Sequence, residues 1–234
     1  METALERARA TVLADLEREG FSVCPRLSPE LTTSQVANRI GKMVDVSELL
    51  PGSGIPPVQT LIPRQVDEAG PNQYSGNYGL GAFPLHTDLA HWAIPPHYFI
   101  LRCIVGSKNV LTNLLSRAEV LKRVGASTAG RAVFRIRKPR AGHCGLLRAM
   151  GHTDGAELFR WDPIFLLPFN VQAQQMASTI MNSDWHGMTH KILLQHPGDT
   201  IVIDNWRSLH GRANVTVDSM TRRIERAYLS EVWA

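Results

Sequence analysis

A chain of 234 residues with 44% hydrophobic and 20% charged side chains carries enough apolar material for one sizeable core and too little charge for a disordered polymer. The formal net charge of +4 is small, and no nucleic-acid partner is expected, because such a surface needs clustered basic residues with aromatic stacking partners. The longest apolar runs, such as Tyr98 to Ile104, are broken by Arg102 and fall far short of the roughly 20 residues of a membrane span, so no membrane association is expected either.

Glu2 to Glu19 place Leu5, Val12, Leu13 and Leu16 near one stripe, which predicts an amphipathic helix, and Gly20 supplies its stop. The mixed charges of Glu2, Glu6, Arg7 and Arg9 do not resemble a secretory leader. Cys24, Cys103 and Cys144 are odd in number and widely spaced, with no CxxC pair, which argues against a disulfide framework and a thiolate zinc site. A cytoplasmic location is expected. Phe21 to Cys24 reads as a short strand, and Thr33 to Val44 as a second helix, entered through a Thr/Ser cap with Val36, Ile40 and Met43 inward. Residues 1–50 are therefore expected as a helical segment packed on the remainder of a single domain spanning 1–234.

From Pro51 onward Pro and Gly punctuate β-prone stretches at Val58 to Ile62, Tyr98 to Val105, Ala132 to Ile136 and Thr200 to Ile203. A further helix is predicted from about Val171 to Met181, ahead of a His-rich polar loop at Trp185 to His190. The fold class is thus mainly β with flanking helices. The connections Asp67 to Gly79 and Gly142 to Gly155 exceed typical loop lengths and are expected to act as lids. Arg135, Arg137, Lys138 and Arg140 concentrate charge in RIRKPR, read as a solvated strand face or hairpin.

The chemistry centres on Phe83-Pro84-Leu85-His86-Thr87-Asp88, since residues two apart on a strand share a face and His86 and Asp88 would point together. His210 follows the apolar strand Thr200 to Ile203 within Asp204-Asn205-Trp206-Arg207-Ser208-Leu209-His210-Gly211-Arg212. Two imidazoles and one carboxylate on one face of a metal leave positions open for a chelating co-substrate and oxygen, an arrangement suited to Fe(II). In a last strand, Arg222 to Leu229, Arg222 and Arg226 share a face while Arg223 and Glu225 point away. Two inward guanidiniums call for an anion, and an Arg fork grips a carboxylate at two points.

These motifs, HTD, NWRSLHGR and the RRIER ending, resemble the taurine and 2,4-dichlorophenoxyacetate dioxygenase family with its clavaminate-synthase-like relatives, over roughly Val58 to the C-terminus. The resemblance implies a double-stranded β-helix, or jelly roll. It implies Fe(II) held by His86, Asp88 and His210, with Thr112 and the first Arg holding the far carboxylate of 2-oxoglutarate as co-substrate. Adjacent Arg222 and Arg223 compete for that role, and Arg222 is preferred because Arg226 shares its face. Arg226 is expected on the near side of the co-substrate or on a substrate acid. The implied activity is an oxygenase that uses dioxygen to hydroxylate, desaturate or cyclise a small polar substrate, amino-acid-like or a natural-product intermediate, releasing succinate and carbon dioxide. A metal-binding jelly roll without turnover, and a cupin-like dioxygenase without 2-oxoglutarate, are the alternatives, and Arg222 speaks against both.

Other polar residues have secondary expectations. His91 and His97 are assigned to packing or solvent, and His186, His190 and His196 to a polar loop near the entrance. Arg160, in Phe159-Arg160-Trp161-Asp162, is read either as a substrate contact or as half of a buried ion pair. Asn72, Gln73, Tyr74, Asn77 and Tyr78 form a loop suited to hydrogen bonding a polar substrate.

Overall fold

Strand alternation sorts the apolar residues into two layers on either side of one sheet. Along Tyr98–Val105, Phe99, Leu101 and Cys103 face one core while Ile100 faces another. The same division separates Ile201 and Ile203 from Val202, and Ile224 and Tyr228 from Ala227 and Leu229. The computed structural model describes residues 4–49, 54–138, 145–153 and 155–233. Arg140, Cys144 and the start of the Gly142 to Gly155 connection lie outside the described residues.

This large sheet runs in the order Phe21–Cys24, Thr200–Asp204, Tyr98–Val105, Arg223–Val232, Gly41–Val44, and Val58–Leu61 also pairs with Arg223–Val232. A second sheet runs His190–Leu193, Leu111–Ser116, Ser208–Arg212, Phe83–His86. Its Leu114 packs into the core formed by Phe99, Leu101, Ile203 and Tyr228, so the two antiparallel sheets face each other as a jelly roll.

The opposite face of the large sheet is covered by the helices Ala4–Glu19 and Thr33–Ile40, through Val12, Leu16, Val36, Ala37 and Ile40. The second helix is four residues shorter than the sequence pattern predicts. Thr32 and Gln35 form a capping box at its start, but Gly41–Val44 leave the helix to pair with the end of the last strand. Gly41 approaches so closely that an added Cβ would meet the Glu231 carbonyl oxygen at 2.0 Å, an approach open only to glycine. The stop at Gly20 follows the expected pattern, with φ at +81° and its carbonyl accepting from Asp204 N and Ser208 Oγ.

The described part of the Gly142 to Gly155 connection is not an open lid. Leu146–Arg148 and Met150–Thr153 are strands paired with Val133–Ile136 and Ala156–Phe159, because Leu147 and Ala149 enter the core that also holds Phe134, Trp161 and the helix Val171–Asn182. The His-rich segment does not border the main cavity either. Trp185 is buried, and His190 opens an edge strand with its ring against Phe21.

Arg102 joins the N-terminal segment to the large sheet. Its buried guanidinium donates to the carbonyls of Leu27, Ser28, Leu31 and Gly198 and to Thr200 Oγ1. The turn wound around it holds Arg26 and Ser28 in left-handed backbone, with φ of 47° and 42°. Arg102→Leu, which strands these acceptors, should lower the unfolding free energy by about 2–4 kcal/mol in urea titrations, with the far-ultraviolet circular dichroism of the folded state retained.

Candidate metal centre

The Phe83–His86 and Ser208–Arg212 strands are neighbours, and their register sets His86 directly opposite His210. A cross-strand pair is thereby turned into two converging imidazoles, with ring centroids 4.2 Å apart. Asp88 lies just past the strand end. Its Oδ1 stands 3.8 Å from His86 Nε2 and 3.7 Å from His210 Nε2, and all three side chains are buried. Their ligand atoms lie within 4.8 Å of one another, and theirs is the one group of three or more His, Cys, Asp or Glu among the described residues that could hold a metal ion.

Local bonds aim these groups. His86 Nδ1 faces the Pro84 carbonyl at 2.8 Å, which places its proton there and leaves Nε2 as the lone-pair nitrogen. Burial, and then the neighbouring His210, push the His86 pKa down to about 3; burial likewise lowers that of His210. Both rings are therefore neutral, as ligands must be. For Asp88, burial favours the neutral acid, but the Arg226 guanidinium, helped by the Tyr228 hydroxyl, outweighs it and holds the pKa below the ordinary value.

Arg226 accounts for much of that stabilisation. One of its nitrogens, Nη1, donates to both Asp88 oxygens at 2.9 and 2.7 Å, Tyr228 Oη donates to Oδ2 at 3.2 Å, and Arg226 Nη2 is steadied by Gln59 Oε1. The main chain of Asp88 is held as firmly. Asn205 Oδ1 accepts from Asp88 N, while Asn205 Nδ2 donates to the carbonyls of Asp88 and Pro96. Thr87 binds the main chain of Trp161 through both its N–H and its Oγ1.

Sequence reasoning gave Asn205 no role, since its partners are main-chain groups and its full burial is visible only in the structure. The Arg160 guanidinium donates to the carbonyls of Ala90, Trp92 and Ala93 and so braces the turn after Asp88; it is not among the residues that line the cavity. In that turn Leu89 takes a left-handed φ of 52°.

The triad opens into a cavity of about 660 Å3, within the usual range for a small-molecule site. Thr112, Arg222 and Arg226 line it with the triad, as do Arg64, Arg137, Lys138 and Arg212. Arg222 is buried, its Nε lacks a partner, and no carboxylate pairs with it among the described residues. Burial pushes its pKa down to about 10. Arg212 is lowered similarly, to about 10, by burial and then by Arg222; it donates to the carbonyls of Gly79 and Gly81 and lies over the Phe83 ring. Arg223, by contrast, is exposed.

The 67–79 connection crosses the site. Asn72, Gln73 and Tyr74 line the cavity, Tyr74 stacks on His86 at 3.9 Å, and Asn77 braces the loop through the carbonyls of Pro71 and Gln73. His91, assigned to packing, does stack on Phe165 but also lines the cavity. His97 lies between Trp206 and Tyr98, away from it. Asp162 is buried at the cavity wall, and its Oδ1 accepts from the main-chain N–H groups of Ile164 and Phe165. Burial dominates these contacts and raises its pKa to about 7.

No protein-family model matches this sequence, and no curated protein does. Solved structures similar to it include an asparagine oxygenase in complex with Fe(II), 3-hydroxyasparagine and succinate, at 17% identity and a TM-score of 0.67, covering 95% of this chain and 78% of that one. The non-heme iron oxygenase OrfP with Fe and alpha-ketoglutaric acid matches at 17% identity and a TM-score of 0.65, over 99% of this chain and 81% of its own. PvcB, an Fe, alpha-ketoglutarate dependent oxygenase from an isonitrile synthetic pathway, matches at 13% identity and a TM-score of 0.61, over 94% of this chain and 79% of its own. At these identities the likeness establishes the jelly-roll fold.

His86→Ala or His210→Ala should abolish Fe(II) binding measured by anaerobic equilibrium dialysis. Asn205→Ala, which removes no ligand, should weaken it about 10- to 100-fold while circular dichroism stays native. Asp162 generates a prediction of opposite sense. A carboxyl raised from the usual value to about 7 in the fold favours folding below its unfolded pKa, and that contribution is lost as pH rises toward 7. Asp162→Asn should therefore gain stability relative to wild type on going from pH 5 to pH 8, read from urea midpoints of the metal-free protein.

Proposed function

We propose that this chain is an Fe(II)- and 2-oxoglutarate-dependent oxygenase acting on a small polar molecule, with His86, Asp88 and His210 as metal ligands and Thr112 and Arg222 as the co-substrate anchor. The observation that carries the reading is Arg222: a buried guanidinium without a counter-ion, in the same cavity as a two-histidine, one-carboxylate cluster. A protein that only stored metal would have no use for such a group, whose burial is costly until an anion arrives. Bound there, Fe(II) would supply the site at which dioxygen is activated as 2-oxoglutarate is decarboxylated to succinate and carbon dioxide.

The chain's own residues would bind and orient. Arg222 offers a planar fork to the far carboxylate, and Thr112, buried on the Leu111–Ser116 strand in the same cavity wall, adds a hydroxyl. Asp88 holds its ligand geometry through Arg226 and Tyr228, which leaves Arg226 in a supporting position on the metal side of the cavity. Tyr74 covers one face of His86 and keeps water from that side. Relatives of this fold holding 3-hydroxyasparagine and (3S)-hydroxy-L-Arg support a small amino-acid-like substrate for this chain as well.

The test is an anaerobic titration of the Fe(II) protein with 2-oxoglutarate, which should produce a metal-to-ligand charge-transfer band in the visible. Absence of the band in protein that binds Fe(II) refutes the assignment. In the same titration Arg222→Ala should weaken 2-oxoglutarate binding by about 2–4 kcal/mol, roughly 30- to 1,000-fold, and Arg223→Ala should leave it near wild type. A dominant effect from Arg223 would transfer the anchor to that residue.

A further inference from the structure

Among the described residues the main cavity has only two acidic side chains in its wall, Asp88 and Asp162, against Arg64, Arg137, Lys138, Arg212, Arg222 and Arg226. Asp88 is taken by Arg226 and the metal cluster. Asp162 is not: no Lys, Arg or His nitrogen forms an ion pair with it among the described residues, although it is 1% exposed. We propose that Asp162 is the specificity-determining residue that receives a cationic nitrogen, ammonium or guanidinium, of the substrate. This deepens the oxygenase reading and rests on it.

The carboxylate is built to point. Both backbone donors, Ile164 N at 2.7 Å and Phe165 N at 2.9 Å, converge on Oδ1 and fix the carboxylate in the cavity wall. The segment that carries it is anchored at the metal strand's end, since Trp161 exchanges main-chain and hydroxyl hydrogen bonds with Thr87. Asp162 therefore keeps a constant position relative to the HTD motif. A preorganised acceptor of this kind discriminates by charge at little entropic cost on binding.

A second polar atom faces the same place. The Tyr74 hydroxyl is buried beside Asp162 and is the side-chain donor facing its carboxylate, while its ring is clamped against His86. Two buried oxygens, one on the lid loop and one on the Trp161 segment, thus border the same gap. A cation seated there supplies the positive charge that a neutral hydroxyl cannot, and so offsets the cost of keeping Asp162 ionised in a buried wall. The arginines of the remaining wall suit carboxylates, so a molecule with an acid at one end and a cationic nitrogen at the other matches the whole cavity.

The experiment uses protein loaded anaerobically with Fe(II) and 2-oxoglutarate, and reads perturbation of the visible charge-transfer band by matched probes. L-lysine, L-norleucine, 6-aminohexanoate and hexanoate differ in which amine they carry, and L-arginine is compared with L-citrulline. At least one amine- or guanidinium-bearing probe should perturb the band at about tenfold lower concentration than its partner lacking that cation. Asp162→Asn should erase that preference with the band itself intact, and Asp162→Glu should retain part of it. Equal responses within every pair, no response to any probe, or a preference that survives in Asp162→Asn would each overturn the assignment. Failure to form the band at all would instead refute the oxygenase reading, and the wild-type comparison stands even if a variant does not fold.

Discussion

A carboxylate ion buried at Asp88 has to be met by positive charge and hydrogen-bond donors, because an isolated buried charge would cost several kcal/mol. The donors come from Arg226 and Tyr228 on the last strand, and Asn205 ahead of Ser208–Arg212 fixes the backbone. Three distant pieces of sequence are thus required at one point. The antiparallel register of Arg223–Val232 against Tyr98–Val105 brings the first, and that of Ser208–Arg212 against Phe83–His86 brings the second. A one-residue slip of the last strand would turn Arg226 to the opposite face and leave Asp88 unpaired, and a slip of Ser208–Arg212 would turn His210 out of the cluster.

The residues between the ligands are held as tightly as the ligands themselves. Thr87 ties the motif to Trp161, Pro84 supplies the acceptor that selects the His86 tautomer, and Arg160 holds three carbonyls of the turn that follows. Each of these bonds removes a rotational freedom that a metal ion would otherwise have to remove on binding. The metal centre is accordingly a property of the packed sheet rather than of a loop, while Tyr74 is brought to it by a short helix-containing connection.

What could be read in advance follows from the range of the forces involved. Spacing is local, so the grouping of His86 with Asp88, that of Arg222 with Arg226, and the helix Val171–Asn182 were legible in the sequence. Asp88 lies in the turn after Phe83–His86 and Arg222 just ahead of Arg223–Val232, however, so strand alternation alone aligns neither pair. The helix predicted to reach Val44 stops at Ile40 because a long-range partner, the Glu231 region, claims Gly41–Val44, and local periodicity carries no information about such a partner. Arg160 and Asn205 escaped for a related reason: their partners are main-chain carbonyls and amides, which have no sequence signature. The jelly roll itself came from the resemblance of HTD and NWRSLHGR to a family, and the facing of the two sheets now gives it a physical basis.

Arg222 and Arg226 show why face and spacing do not determine role. Arg226 on the last strand and Arg222 just ahead of it line the same space, yet one is paired with Asp88 and Gln59 while the other meets no acid among the described residues. Burial lowers the pKa of Arg222 to about 10, which still leaves it charged at neutral pH, so the fold carries an uncompensated cation there. Stability alone would favour an apolar residue at that position. Persistence of the charge in a buried wall therefore points to a ligand that completes it, whereas burial raises Asp162 to about 7, so that its negative charge at neutral pH is favoured by a cation beside it. The cavity is incomplete in two opposite senses at two separate places, which constrains the charge pattern of what enters it more tightly than its volume does.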